Sequence, residues 1–210
     1  MPRIYVASSW KNLLHPIAVD ALQTAGFDVY DFRHPAPGRH GFHWSQIDRD
    51  WQSWGAGRYL QALEQEQAQV GFQSDFLAMD RAHACVLVLP AGASAHLEAG
   101  YFAGHPTKKL VILLAPDDPD PSLIQALRGL GHTLDRTRAC ASCPTPGERG
   151  GCQLSTREAR AAKQRPGGFE PELMYKLADA VVADAASAID ALRSALAGQE
   201  AVATGPGTPS

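Results

Sequence analysis

The chain predicts a single α/β domain, a doubly wound parallel sheet of five strands flanked by helices. Three observations carry this. Short apolar strands alternate with helical stretches from residue 3 onward. Lys109-Leu-Val-Ile-Leu-Leu-Ala115 is apolar all round, as a central parallel strand buried on both faces must be. The 210 residues, 45% hydrophobic and 20% charged, suffice for one well-cored globular domain.

The first unit reads β-loop-α-β. Arg3 to Ala7 is a strand and Ser8 to Asn12 a polar turn. Leu14, Ala18, Leu22 and Ala25 recur at helical spacing until Gly26, and Phe27 to Phe32 is a second strand. Residues 33–57 break the pattern with His43, Trp44, Trp51 and Trp54 among prolines and glycines. Such a loop is either a binding lid or a segment packing its rings on the body or on a partner subunit.

Tyr59 to Met79 fits one helix despite Gly71. Ala84 to Leu89 is the third strand, broken by Pro90 and Gly92, and a helix of small residues runs from about Ser94 to Ala103. The fourth strand, 109–115, leads to a short helix, Pro121 to Leu130. Residues 131–168, rich in Gly, Pro, Arg and Cys, read as an insertion. Glu172 to Leu177 then reads helical, Ala180 to Val182 as a fifth strand and Ala186 to Leu196 as a last helix; one continuous helix over 171–197 is the alternative. The domain spans 1–197, and 198–210 reads as a disordered tail.

Composition narrows the function. A net charge of -3 without a basic block argues against nucleic acid and anionic membrane surfaces as partners. No apolar run approaches the roughly 20 residues of a membrane span. The chain opens on a strand rather than a signal peptide, and its four cysteines do not form a secreted disulfide pattern, so a cytoplasmic protein is expected.

Glu98 stands one turn into the helix after the third strand, where open α/β sheets place their ligands. The helix dipole there favours an anion, which makes Glu98 either an ionised nucleophile or a solvated N-terminal charge. A carboxylate nucleophile works with a second acid of raised pKa that protonates the leaving group. Asp75 and Asp80 are the candidates, and five residues apart they cannot share one helix face. Asp80 can equally cap its helix. Trp10, Phe42 and Trp44 can stack on a base, and Tyr101 lies on the Glu98 side of its helix. Ser94 can hold a phosphate beside Gly92 or simply cap the helix, and Ser8 can add a donor after the first strand. His96 should point away from Glu98. Cys140, Cys143 and Cys152, with His132 upstream, can bind a structural zinc or form a loop of reduced thiols. No cofactor is required for the chemistry.

Ile4-Tyr5-Val6-Ala7 with Trp10, Asp75 and Asp80 before the third strand, and Glu98-Ala-Gly-Tyr101, in this order and spacing, resemble the nucleoside 2-deoxyribosyltransferase family and its related nucleotide N-hydrolases. The likeness covers residues 3–115 and 170–197. It implies a five-stranded, flavodoxin/Rossmann-like domain that cleaves the N-glycosidic bond of a nucleoside or nucleotide, giving the sugar to water or another base. It further implies Glu98 as nucleophile, Tyr5 as its orienter, Asp75 as the acid, Trp10 at the base and a homo-oligomer. The family's Asp-x-Gly-Thr before the glutamate is replaced here by Gly92-Ala-Ser-Ala95, which admits a 5′-monophosphate as well as a free nucleoside as substrate. A nucleotide-binding module without turnover and an NAD-cleaving enzyme are the alternatives.

Overall fold

The computed structural model describes residues 1–114, 121–135, 137–138, 151–152, 154 and 173–203. Five strands form one parallel sheet: β1 (Arg3–Ala7), β2 (Asp28–Asp31), β3 (Ala84–Val88), β4 (Lys109–Leu113) and β5 (Ala180–Val182), in the order β2-β1-β3-β4-β5. Among the described residues the helices are α1 (Leu14–Thr24), α2 (Ala56–Leu63), α3 (Glu66–Arg81), α4 (Ala93–Gly104), α5 (Pro121–Gly129) and α6 (Ala185–Ala203). This is the predicted doubly wound α/β domain.

Strand alternation divides the core. Ile4, Val6, Val86, Val88, Val111 and Leu113 point to the face covered by α1 and α6, through Ala18, Leu22, Ala188 and Leu192. Tyr5, Ala7, Cys85, Leu87, Leu110 and Ile112 point to the opposite face, covered by α3 and α4 through Ala78, Met79, Ala95, Ala99 and Phe102. Burial on both sides explains why these strands read as unbroken apolar runs.

Three elements differ from expectation. The helix expected from Tyr59 to Met79 is two, α2 and α3, because Gln65 is extended at φ -70° and ψ 143°. Tyr59 of α2 meets Trp44 of the aromatic loop, whereas α3 packs on the sheet, so the two helices have different partners. The continuous helix over 171–197 is absent: a 3-10 turn at Leu173–Leu177 precedes β5 and α6. The last helix continues through Gly198 to Ala203, where a disordered tail was expected.

The sheet order reverses direction between β1 and β3, the switch point at whose carboxyl edge such folds take their ligands. Asn12, only 3% exposed, closes that edge. Its Nδ2 lies 2.9 Å from Ser8 Oγ, 3.0 Å from the Val88 carbonyl and 3.1 Å from the Pro90 carbonyl. Its Oδ1 accepts from Leu14 N at 2.8 Å. One amide thus joins the loop after β1, the end of β3 and the start of α1.

Candidate active site

Tyr5, Tyr30, Asp75 and Glu98 converge on the α3–α4 face of the sheet. The two tyrosines are register partners on β1 and β2, and Cys85 of β3 is the partner of Tyr5 on its other side. Alternation therefore points all three to one face. Tyr5 stacks on Tyr30, centroids 5.4 Å apart, and on Phe102 of α4 at 6.0 Å. Tyr30 Oη lies 2.8 Å from Asp75 Oδ1 and 3.0 Å from Ser74 Oγ. Tyr5 Oη is buried with no hydrogen bond of full geometry, and Glu98 followed by Asp75 are the carboxylates that act on it. The expected Tyr5–Glu98 pair is present as neighbours, not as a formed bond.

Both carboxyls are held well above their usual range. Burial pushes Glu98 up to about 7, the negative Asp75 adds to this, and the Tyr5 hydroxyl works against it. Burial raises Asp75 to about 6 against the pull of Tyr30. The expectation that the helix dipole keeps Glu98 fully ionised is therefore corrected: loss of water outweighs the dipole. Burial raises both tyrosine hydroxyls, with Glu98 and Asp75 adding to this at Tyr5 and Asp75 and Asp31 at Tyr30, and burial followed by Glu98 raises the Cys85 thiol, so all three stay neutral near pH 7. Asp75 and Glu98 interact as one titrating pair holding about one proton near neutrality. Between these values the pair carries one proton, held mainly by Glu98, the weaker acid, and shared with Asp75 in a minor tautomer.

The other sequence candidates fall into separate groups. Asp80 is exposed at the far end of α3 and does not join Asp75; the Lys108 ammonium donates to its carbonyl at 2.6 Å and to those of Met79 and Ala82. Ser8 Oγ donates to the Val88 carbonyl at 2.9 Å, so its proton is engaged in the loop clamp. Gly92 is the N-cap of α4 and Ser94 lies inside the first turn, both exposed; Ser94 is not the cap. Tyr101 packs beside Phe76, Phe102 and His105. His96 bonds to Gly92 and Tyr175 rather than to either carboxyl. Its Nδ1 donates to the Gly92 carbonyl at 2.9 Å, and its Nε2 accepts from Tyr175 Oη at 3.0 Å.

The aromatic loop packs its rings mostly on one another. Trp10 meets Phe32 and His43 edge-on, and Trp44 sits among Phe42, Trp54 and Tyr59. Phe42 touches the body at Gly71 of α3, where an added Cβ would come within 2.4 Å of the Phe42 Cβ. Gly71 and Asp75 are one turn apart on the same face of α3, so the loop is seated beside the acid.

Sequence reasoning missed Tyr30, Ser74, Asn12 and a polar cluster around Asp31 at the end of β2. There Asp31 Oδ1 accepts from Arg33 N at 2.8 Å and lies 3.4 Å from His15 Nε2, while Oδ2 pairs with His34 Nδ1 at 2.9 Å. Burial acts to raise Asp31, but His34, His15 and Arg33 outweigh it and bring the carboxyl down to about 2. The Arg33 guanidinium donates to the carbonyls of Ser9 and Asn12, tying this cluster to the loop after β1. A histidine at helical spacing in α1 and an Asp-x-Arg-His run after β2 were the available signals.

Of the cysteine set, Cys140 and Cys143 lie outside the described residues. Cys152 is buried in an apolar cluster with Leu13, Leu127, Leu134 and Leu154. Among the described residues no group of His, Cys, Asp or Glu is placed to hold a metal ion. No helix among them is long and apolar enough to cross a membrane. Comparison of the chain with family models, with curated proteins and with solved structures finds no match in any of the three.

Proposed function

We propose that the chain cleaves the N-glycosidic bond of a nucleoside or nucleoside 5′-monophosphate. The observation that carries this is the half-buried Asp75–Glu98 pair, with a tyrosine hydroxyl beside each carboxyl and both acidities moved to the neutral range. In the first half-reaction the singly protonated pair reacts through its minor tautomer, with the proton on Asp75: ionised Glu98 attacks the anomeric carbon, the C–N bond breaks, and Asp75 gives its proton to the leaving base nitrogen. In the second half Asp75, now a carboxylate, takes a proton from water as the water oxygen attacks the glycosyl ester and frees Glu98. A second base in place of water gives transfer instead. Gly92 and Ser94, exposed at the start of α4, suit the 5′-phosphate.

The test is turnover of a panel of deoxynucleosides, their 5′-monophosphates, ribonucleotides and NAD, with and without an acceptor base. Base released without acceptor means hydrolysis, and exchange only with acceptor means transfer. Thermal stabilisation by one compound without turnover would replace the enzyme by a binding module.

Self-association belongs to the same proposal. Leu60 of α2 and Val70, Phe72, Phe76 and Leu77 of α3 are exposed, with Phe72 stacked on Phe76 at 5.7 Å. Exposed apolar side chains of this kind on the helix that carries Asp75 suit a second copy of the chain. Sedimentation showing only monomer at micromolar concentration would overturn this part.

A further inference from the structure

We infer that Tyr30 is the positioning residue of the acid: its hydroxyl occupies Oδ1 of Asp75 and so leaves Oδ2 to carry the proton that the base takes. The inference rests on the proposed cleavage reaction and adds a residue that the resemblance does not supply.

A phenol has one proton to give, and a carboxylate oxygen only accepts. With Tyr30 Oη 2.8 Å from Asp75 Oδ1 and 3.0 Å from Ser74 Oγ, the chain of donation to ionised Asp75 runs from Ser74 to Tyr30 to Oδ1. Oδ2 makes no hydrogen bond among the described residues. Strand pairing, not a free rotamer, sets the place of the hydroxyl. Tyr30 is fixed opposite Tyr5 in register, and its ring lies 13° from the Tyr5 plane. The groups that face the acid are Tyr30 from β2, Ser74 from its own helix, Tyr5 from β1 and Glu98 from α4. Both tyrosines stay neutral, so Asp75 and Glu98 alone titrate there near neutrality. When the C–N bond breaks, the proton passes from Oδ2 to the base nitrogen, and the carboxylate left behind is stabilised by the bond from Tyr30.

The test compares wild type, Tyr30→Phe and Ser74→Ala by 13C-carboxyl NMR titration and by kinetics. Loss of a donor destabilises the anion, so the Asp75 midpoint should move to higher pH in Y30F, and less far in the same direction in S74A. In Y30F kcat should fall on the order of tenfold with KM little changed, and by less for a base that leaves unprotonated. An unmoved Asp75 midpoint, or an equal loss of kcat for both kinds of leaving base, overturns the inference. Should Y30F fail to fold by circular dichroism, an unmoved midpoint in S74A overturns it in the same way. Asp75→Asn separates the two levels. Full turnover in D75N defeats the proposed reaction itself, whereas an inactive D75N beside an unaltered Y30F defeats the role of Tyr30 alone.

Discussion

Tyr5 and Tyr30 stand opposite each other on adjacent parallel strands, rings stacked 5.4 Å apart, and each brings its hydroxyl to a different member of one carboxyl pair. The sheet thereby supplies a rigid base for two acids that arrive on separate helices, Asp75 on α3 and Glu98 on α4. The core that positions these acids also strips them of water, so the folded state is strained electrostatically where the chemistry is proposed.

That strain has a sign that stability measurements can read. Glu98 rises from 4.5 to about 7 on folding, so between these values the folded chain binds more protons than the unfolded one. Stability therefore falls as pH rises through this window. Glu98→Gln removes the buried charge and should be more stable than wild type at pH 8, by up to about 3 kcal/mol. The advantage should shrink toward pH 4.5. Thermal unfolding at both pH values checks it, and an equal difference at both would contradict the assignment.

Turnover should follow the proton shared by the pair. With Asp75 at about 6 and Glu98 at about 7, the singly protonated pair is most abundant between these values, and the rate profile should be a bell centred there. Glu98→Ala should abolish base release while the circular dichroism spectrum stays native. Asp75→Asn should lose on the order of 100-fold or more with a base that must leave protonated, and much less with one that need not. Full turnover by E98A would remove the nucleophile.

The sequence held some of this site openly and hid the rest. Glu98 and Asp75 were legible because carboxylates after an apolar strand and on the preceding helix form a pattern of types and order. Tyr30 was not, because its meaning depends on register with Tyr5, and register is a property of two strands at once. Ser8 looked like a free donor until Asn12 and the Val88 carbonyl, far away in the chain, were seen to engage it. The break between α2 and α3 falls on Glu64 and Gln65, both good helix formers, so propensity could not reveal what tertiary packing imposed. The strands themselves were plain, since burial on both faces leaves an apolar run that needs no partner to be recognised.

The seat of the aromatic loop can be tested at Gly71. Alanine is the better helix residue by about 1 kcal/mol, which would favour Gly71→Ala on propensity alone. Here the new methyl would lie 2.4 Å from Phe42 Cβ and 2.8 Å from its Cγ. A Cβ stands next to the backbone, so the loop itself must shift rather than one ring rotate. G71A should thus be destabilised by about 1–3 kcal/mol despite its propensity, with faster proteolysis within residues 33–57. A raised melting temperature would show that the loop is not seated on α3.

The clamp at the switch point gives the sharpest structural test. Asn12 is buried and acts through both ends of its amide: Nδ2 toward Ser8 Oγ and the carbonyls of Val88 and Pro90, and Oδ1 toward Leu14 N. Asn12→Ala leaves those acceptors without their donor and should cost about 2–3 kcal/mol. Asn12→Asp has nearly the same shape and keeps the acceptor for Leu14 N, but its second oxygen faces two carbonyls it cannot bond. A charge-paired or purely steric role would make aspartate the milder change. A role as donor makes aspartate as damaging as alanine or worse near neutral pH, with partial recovery in acid as its carboxyl takes up the missing proton. Chemical denaturation of both variants at pH 5 and pH 8 distinguishes the two. An aspartate variant as stable as wild type at pH 8 would dismiss the clamp as a hydrogen-bond device.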